Sequence, residues 1–242
     1  MLKLLDSELY RLLHKKSMYV YFGALAAGYF IISFIRSGGF REESVVNDAM
    51  TMFSLLPALA GGFLFSAIYT DDLNSKNLIS LVGYGVSKAV IVMTKFVLIA
   101  LLGVIVFGLA PLYHCAIYTL LGQTVTADMM AMIYAVSLKN LLAVMVYAAL
   151  SAIVVYGLQR ATFAIVTYLL LAFGVIGGLV SVMLNTFAPK LTEYLISGIT
   201  DKILLGLLTG SPLFMPLVWY MAYVLVSLVL SVVAFYRKEM EF

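Results

Sequence analysis

The chain has 242 residues, of which 64% are hydrophobic and 11% are charged, and its mean hydropathy is +1.07. This composition excludes an ordinary soluble domain, in which about a quarter of the residues are charged, and indicates an integral membrane protein. The net charge of +3 requires no nucleic-acid partner, because cationic residues retained on the cytoplasmic side of a membrane explain it and also favour anionic lipids there.

Six runs of 18 or more residues contain no Asp, Glu, Lys, Arg or His. Each run is long enough to cross about 30 Å of hydrocarbon as an α-helix. The segments between the runs are too short for a soluble domain, so the sequence predicts a single all-α membrane domain over residues 1–242. The six predicted spans are residues 18–35, 49–70, 96–113, 140–158, 161–184 and 213–236.

The lysines and arginines predict the orientation of these spans. If the N-terminus is cytoplasmic, ten of these residues lie on the cytoplasmic side and five lie outside. Membrane insertion favours this asymmetry. We therefore expect both termini to face the cytoplasm.

The N-terminal segment, residues 1–16, has the pattern of an amphipathic helix. Its leucines recur at helical spacing, and its charged residues occupy the rest of the helical wheel. The sequence therefore predicts a helix lying flat on the inner membrane surface, with a simple cationic anchor as the alternative. The leucines in phase are Leu2, Leu5, Leu9, Leu12 and Leu13.

Small residues in two of the predicted spans indicate close packing between helices. Ala24 and Gly28 stand four positions apart in the first span, and Gly174 and Gly178 do so in the fifth. This spacing lets two helices approach closely in lipid. The first and fifth spans therefore form either an interface between two subunits or an ordinary contact within one bundle.

Aromatic residues crowd the first span, and methionines recur in the other spans. Because no span carries a charge, a path between these helices would be apolar and would suit an amphipathic peptide or a lipid-like drug. Tyr21, Phe22, Tyr29 and Met52 are the candidate residues of such a path. The alternatives are an aromatic belt at the membrane interface and simple core packing.

The second span contains residues that disturb a helix. Pro57 removes one backbone donor, and Gly61 and Gly62 follow it within the same run. Neighbouring helices can satisfy the backbone groups freed in this way. We therefore expect a bend in this span, either static or acting as a hinge.

The segment LVGYGVSKAVIVMTKF, residues 81–96, superficially resembles a phosphate-binding loop. A Walker loop places Gly-Lys-Ser/Thr between a strand and a helix, whereas here Lys88 comes three residues after Gly85 and is followed by Ala89. The segment also joins two membrane spans. We therefore expect no nucleotide or other cofactor in this chain, and we interpret Asp71 and Asp72 as a solvated helix end and not as a metal site.

The loop after the second span predicts a short apolar helix over residues 75–82. Leu78, Ile79 and Leu81 would be available for docking to a partner. A compact helix that continues rigidly into two spans is a mechanical contact point.

Residues after this helix predict how the third span begins. Gly83 and Gly85 would end the short helix and turn the chain, and Ser87 would cap the third span. Lys88 and Lys95 stand seven positions apart on one helix face. We expect them to reach lipid phosphates or acidic groups of a partner.

The segment between the fifth and sixth spans, residues 188–212, has apolar residues at a four-residue repeat. Gly198 interrupts the repeat, and Gly210 and Pro212 close it. This pattern predicts one or two short amphipathic helices that dip into the outer leaflet.

Residues 71–96, DDLNSKNLISLVGYGVSKAVIVMTKF, resemble the loop after the second span of type-2 ABC exporter permeases, in particular those of bacterial bacitracin, lantibiotic and phenol-soluble-modulin exporters. Lys88 stands where that family usually has arginine, and residues 81–83 add about one position before the Tyr-Gly pair. The residues that match the family pattern are Lys76, Asn77, Leu78, Tyr84, Gly85, Val86, Ser87 and Lys95.

The resemblance implies a permease subunit in the bacterial cytoplasmic membrane. It would pair with a second permease chain, identical or paralogous, and with two separate ATPase subunits that bind ATP and magnesium. Residues 73–85 would be the coupling helix, and Glu8 and Arg11 would add a second ATPase contact. The implied coupling residues are Asp72, Leu73, Lys76, Asn77, Leu78, Ile79, Leu81, Val82, Tyr84, Gly85 and Lys88. The implied cargo is an amphipathic peptide or a hydrophobic drug.

Three other functions compete with this interpretation. A transporter driven by an ion gradient usually carries a titratable carboxylate within a span, and all six runs lack one, since His114 and Asp128 lie outside them. An intramembrane enzyme has no supporting motif, so we expect no catalytic residues. A structural membrane partner without transport activity is the third alternative.

Overall fold

The computed structural model describes residues 2–36, 44–74 and 77–238 of the chain. All regular structure in these ranges is helical, in agreement with the predicted fold class. The helices are α1 (Leu2–Leu13), α2 (Lys16–Arg36), α3 (Ser44–Phe53), α4 (Gly62–Phe65), α5 (Asp71–Asn74), α6 (Asn77–Gly83), α7 (Lys88–Leu120), α8 (Ala127–Leu158), α9 (Ala161–Ala172), α10 (Val175–Phe187), α11 (Ile196–Thr209) and α12 (Phe214–Arg237). Two π-helical turns, Pro57–Gly61 and Ser66–Thr70, and a 3-10 helix, Pro189–Tyr194, complete the described structure.

Five helical segments within the described residues are long and apolar enough to cross a membrane, and a sixth results if α9 and α10 are taken as one broken span. The five are Lys16–Ile35, Val45–Tyr69, Lys88–Leu120, Ala127–Leu158 and Phe214–Arg237. Helices α9 and α10 are bent by 58°, because Gly174 adopts a φ of 73° between them. The predicted fifth span, residues 161–184, is therefore not one straight helix.

Helices α7 and α8 are much longer than the spans predicted within them, with 33 and 32 residues. The prediction stopped at charged or histidine side chains. Lys95 and His114 are nevertheless almost completely buried inside the bundle, so α7 passes through both positions without interruption. At about 1.5 Å per residue, α7 is about 50 Å long and exceeds the hydrocarbon thickness of about 30 Å.

Helix α8 is the centre of the bundle, since it contacts α3, α7, α9, α11 and α12. Small residues on its buried face, Ala148, Ala149, Ser151 and Ala152, let neighbouring helices approach closely. Helix α11 packs against α8 through the buried side chains of Ile199 and Ile203. Gly198 lies within α11 and does not break it. The predicted short helices of this segment are the 3-10 helix Pro189–Tyr194 and α11.

Pro57 lies within the second span and leaves one carbonyl without its helical partner. In a regular helix the Phe53 carbonyl would accept a hydrogen bond from residue 57, but proline has no N–H. The buried Asn140 side chain on α8 donates to this carbonyl at 3.0 Å. The Pro57 carbonyl in turn accepts from the Tyr168 hydroxyl at 2.9 Å. Pro57 begins a π-helical turn, Pro57–Gly61, and neighbouring helices hydrogen-bond to the carbonyls of Phe53 and Pro57. The bend or hinge in this span stays a prediction.

Pro111, inside α7, is accommodated in the same way. It frees the carbonyl of Phe107, four residues earlier, and the buried Ser137 hydroxyl on α8 donates to that carbonyl at 2.5 Å. Ser137 and Asn140 stand three positions apart on α8. One face of the central helix therefore supplies the hydrogen bonds that two prolines remove from its neighbours.

The hydrogen bond from Asn140 to the Phe53 carbonyl can be tested by mutation. Replacing Asn140 with leucine leaves the buried Phe53 carbonyl unsatisfied, and we expect a loss of about 1–3 kcal/mol of stability, measured by thermal unfolding of the detergent-solubilised protein. Adding Pro57→Ala should restore part of the loss, because alanine supplies the missing N–H.

Ser227→Ala is the control for this test, because the Ser227 hydroxyl bonds only the Tyr223 carbonyl of its own preceding turn. We expect that change to have little effect on stability. An Asn140→Leu loss no larger than that of Ser227→Ala would contradict the assignment.

Helix α2, the first span, is attached to the bundle mainly by aromatic side chains. The Tyr113 hydroxyl donates to the Ala26 carbonyl at 2.9 Å, and the Tyr21 hydroxyl donates to the Leu59 carbonyl at 3.0 Å. The Tyr21 ring also stacks on Phe63 with ring centroids 4.0 Å apart. Little of this span is buried, so space remains between α2 and the other helices.

Candidate functional site

The loop after the second span forms a short helix, α6, that lies against the bundle. Leu78 is 6% exposed and belongs to the main hydrophobic core. Leu73, Leu81 and Val82 are partly buried against the same core. The prediction that Leu78 is available for docking is therefore wrong, because the apolar face of this amphipathic helix packs on its own chain.

The exposed end of this segment is Tyr84, which is 87% exposed and follows α6 directly. Gly85 turns the chain with a φ of 78°, and the Ser87 hydroxyl caps α7 by accepting a hydrogen bond from the backbone N–H of Val90. The predicted turn and cap are confirmed. Lys76 lies outside the described residues, as do the side chains of Asn77 and Ile79.

Four charged side chains meet at α5, the helix that precedes α6, and link three separate parts of the chain. They are Glu8 and Arg11 on α1, Asp72 on α5 and Lys95 on α7. The Arg11 guanidinium lies 2.6 Å from the Glu8 carboxylate and 3.0 Å from that of Asp72. The Lys95 ammonium lies 2.9 Å from Glu8 and also pairs with Asp72. We refer to these four residues as the charge cluster.

Most of the charge cluster is removed from solvent. Asp72 is 0% exposed, Lys95 1% and Glu8 7%, whereas the Arg11 side chain remains 36% exposed. Burying an unpaired charge is costly, but two cations and two carboxylates compensate each other here. Burial lowers the pKa of the Arg11 guanidinium, but the carboxylates of Asp72 and Glu8 outweigh burial, so its pKa is raised overall.

The charge cluster corrects two predictions. Asp72 is not a solvated helix end, and Lys95 does not extend to lipid, because both side chains pair inside the bundle. Glu8 pairs with Arg11 and Lys95, Arg11 remains partly exposed, and their contact with an ATPase stays a prediction. The sequence could not show that these four side chains meet, since 64 positions separate Glu8 from Asp72.

Helix α1 packs on the bundle beside the charge cluster. Leu12 is 1% exposed, and Leu5 and Leu9 are partly buried against the main core. The predicted amphipathic helix is therefore present, but much of its leucine face contacts protein. Leu13 remains exposed on the side next to α2.

Lys88 also binds within the chain. Its ammonium donates to the carbonyls of Phe235 at 2.7 Å and Lys238 at 3.3 Å, and it lies 5.0 Å from the centroid of the Phe235 ring. A cation at these last carbonyls satisfies acceptors that a helix end leaves free. Lys88 therefore joins the start of α7 to the end of α12, which places α1, α6 and the end of α12 at the same end of the bundle.

Two apolar cavities flank α2. One has a volume of about 550 Å³ and is lined by residues that include Phe22 and Tyr29, and the other, of about 300 Å³, is lined by residues that include Tyr21, Tyr29 and Met52. The four residues predicted to form a substrate path thus all line these cavities. Both cavities are lined mainly by apolar side chains, so we expect hydrocarbon and not water to occupy the larger one.

A polar cluster lies at the far end of these cavities and was not predicted. His114 Nε2 lies 3.1 Å from the Val45 carbonyl, which only accepts, so Nε2 carries the proton and Nδ1 accepts from the Tyr29 hydroxyl. The Tyr118 ring stacks on His114, and its hydroxyl donates to Asp48 at 3.0 Å. Asp48 is 3% exposed and lies within the segment Val45–Tyr69. The argument that no span carries a carboxylate is therefore wrong.

The four small residues predicted at a subunit interface lie on α2 and at the start of α10. A Cβ added at Gly28, Gly174 or Gly178 would meet no atom within 4 Å, and Ala24 is exposed. Gly174 precedes α10 in a left-handed conformation, so it lies outside that helix. The interface between two chains stays a prediction.

Comparison with known proteins does not extend these observations. No protein-family model matches the chain, and no curated protein matches it. Among the described residues, no group of three or more His, Cys, Asp or Glu side chains could hold a metal ion. The charge cluster, α6 and the two cavities beside α2 are the features of this chain that bear on its function.

Proposed function

We propose that this chain is the transmembrane permease subunit of an ATP-driven ABC exporter. The observation that supports it best is the charge cluster, which binds the segment before α6 to α1 and α7 through buried ion pairs. A coupling helix must move together with the spans for force to reach them. Packing of Leu78 into the main core adds a second rigid connection.

In this proposal the chain transmits force and carries out no chemistry of its own. Two separate ATPase subunits bind ATP and magnesium, close upon each other and draw the coupling helices of two permease chains together. The coupling free energy equals the difference in nucleotide-dependent contact energy between the two states. A coupling helix that moved independently of the spans would not transmit this free energy to them.

The common location of α1, α6 and the end of α12 supports the proposed orientation. Both termini and the coupling helix would then face the cytoplasm, with the spans in a bacterial cytoplasmic membrane and lipid around the bundle. Seven of the ten lysines and arginines assigned to that side lie in α1, at or just before the start of α2, at the start of α7, and at or just after the end of α12. They are Lys3, Arg11, Lys15, Lys16, Lys88, Arg237 and Lys238. The positive-inside tendency favours this arrangement.

The apolar cavities beside α2 support a cargo with a large apolar surface. An amphipathic peptide or a hydrophobic drug suits walls formed by Tyr21, Phe22, Tyr29 and Met52. Sugars and ions would find few polar partners there. The second permease chain would complete the path on the open side of α2.

Tyr84 provides the most direct test of the ATPase contact. Because Tyr84 is the exposed aromatic residue at the end of α6, Tyr84→Asp should place a charge in the apolar cleft that receives the coupling helix. We expect the tagged variant, purified from its native membrane in mild detergent, to lose the ATP-binding subunit that accompanies the original chain.

The matched control is Leu120→Asp, at an 81% exposed apolar residue at the opposite end of α7. This variant should retain the ATP-binding subunit. Co-purification of that subunit with Tyr84→Asp, at the level of the control, would remove the coupling assignment.

A transporter driven by an ion gradient is the second candidate function, and the buried polar cluster favours it. A chain of contacts runs through this cluster inside the spans. Asp48 accepts a hydrogen bond from Tyr118, the Tyr118 ring stacks on His114, and His114 is hydrogen-bonded to Tyr29. Ionisable groups buried in spans often serve in proton or ion transport. Proteoliposomes containing this chain alone distinguish the two candidates. Cargo uptake driven by an imposed pH or sodium gradient, without ATP, would overturn the exporter proposal.

A further inference from the structure

The larger cavity beside α2 has the length of half a bilayer. Its wall on α2 runs from Met18 to Tyr29, a distance of about 16 Å at about 1.5 Å per residue. The hydrocarbon core of a membrane is about 30 Å thick. The cavity therefore extends along about the length that the hydrocarbon chain of one leaflet occupies.

The volume of the cavity suits a single hydrocarbon chain. The cavity has a volume of about 550 Å³. An unbranched acyl chain that extends over about 16 Å fits within this volume and would contact both α2 and α7.

The polar atoms around the cavity are already engaged. Three tyrosines line it, and the hydroxyls of Tyr19, Tyr29 and Tyr113 bond the Leu13 carbonyl, His114 and the Ala26 carbonyl. The remaining lining side chains are aliphatic or aromatic hydrocarbon and one thioether, that of Met18. The cavity thus offers dispersion contacts and no free hydrogen-bonding group to a ligand.

The end of the cavity near Leu13 and Tyr19 lies beside a cationic segment. Lys15 immediately precedes α2 and Lys16 is its first residue, and in the chain both lie between Leu13 and Met18, which line the cavity. A ligand whose chain enters here would place its polar group beside these two lysines. Charge complementarity favours an anionic group at this position.

We propose that this cavity binds one acyl chain of an anionic membrane phospholipid, with its head group beside Lys15 and Lys16. Hydrocarbon is as favourable in the bilayer as in the cavity. The preference of the cavity for this lipid over other lipids therefore arises from the fit of the acyl chain and the charge of the head group. The bound chain fills the space between α2 and α7. Lipid binding here does not depend on pairing with an ATPase.

Photolabelling tests the proposal with the purified full chain in phosphatidylcholine nanodiscs. The probe is a phosphatidylglycerol that carries a diazirine halfway along one acyl chain. After illumination, mass spectrometry should find adducts concentrated on residues 18–29 of α2 and 102–113 of α7, above the level on the exposed helix α10. A phosphatidylcholine probe with the same diazirine should label these residues less.

Gly23→Phe is the blocking variant, because Gly23 lines the cavity and a Cβ there meets no atom within 4 Å. We expect it to lose the excess labelling of residues 102–113. Gly177→Phe on α10, where the added Cβ also meets no atom within 4 Å, should retain it. The smaller Gly23→Leu provides a second blocking variant if the phenylalanine impairs folding.

Two results would overturn the proposal. Labelling that follows lipid exposure along all helices, or that persists in both Gly23 variants, would show that the cavity holds no lipid chain. Equal labelling by both probes would exclude the preference for an anionic head group. Because no ATPase is present in the nanodiscs, failure of the exporter proposal leaves these results unchanged.

Discussion

Replacing Lys95 with methionine is expected to destabilise the protein by about 3–5 kcal/mol, because removing one partner of a buried ion pair leaves an uncompensated charge. Glu8 and Asp72 would then share the single Arg11 guanidinium, whose side chain is 36% exposed. Asp72 itself is completely buried. Thermal unfolding of the detergent-solubilised protein, followed by circular dichroism, measures the loss.

The chain contains its own control for this change. Lys139 pairs with Asp201 in a second ion pair, whose side chains are 31% and 57% exposed. Exposed pairs contribute about 0–1 kcal/mol, so Lys139→Met should have little effect. Equal losses for Lys95→Met and Lys139→Met would contradict the importance of burial.

A double variant separates charge balance from packing. Combining Lys95→Met with Asp72→Asn leaves Glu8 paired with Arg11 and removes the excess negative charge. We expect this combination to recover much of the stability lost in Lys95→Met alone. If it recovers stability but does not support ATP-driven transport with its partner subunits, the charge cluster acts in coupling as well as in folding.

Gly61→Ala is expected to be the second strongly destabilising change, although it adds only one methyl group. The added Cβ would lie 2.2 Å from the Tyr168 hydroxyl oxygen and 2.8 Å from a Val144 methyl carbon. Tyr168 cannot turn away without losing its hydrogen bond to the Pro57 carbonyl. Overpacking of this kind costs about 1–3 kcal/mol, and the shift in thermal unfolding reports it.

Steric overlap of the added methyl group causes this loss of stability. Backbone strain does not contribute, because Gly61 has an ordinary helical φ of −64°. Gly108 in α7 is the matched control, since a Cβ there would meet no atom within 4 Å. Gly108→Ala should be neutral or slightly stabilising, as alanine favours a helix. Adding Tyr168→Phe should reduce the cost of Gly61→Ala, and equal losses at Gly61 and Gly108 would contradict the predicted clash.

The sequence predicted best those features that depend on local chemistry. Ser87 caps α7 and Gly85 turns the chain, because a side-chain oxygen near an unpaired N–H and a residue without Cβ act within a few positions. Apolar runs likewise located helices long enough to cross a membrane. These properties belong to short segments and do not depend on the rest of the fold.

Features made by distant residues could not be predicted in this way. Asn140 satisfies the carbonyl that Pro57 frees, and Ser137 does so for Pro111, yet in the sequence both look like isolated polar residues. Lys95 was expected to reach lipid or a partner, because a cation next to an apolar run usually does. Its carboxylate partners come from α1 and α5, and only the folded bundle brings them together.

By itself, the sequence determined that this protein is a helical bundle rich enough in hydrocarbon for a membrane, because uncharged runs of sufficient length carry that information locally. The tertiary structure alone decided where charge is tolerated inside the bundle, how far α7 and α8 extend and which face of α6 remains exposed. Burial of a charged or polar group depends on partners far away in the chain, and a hydropathy profile does not identify those partners.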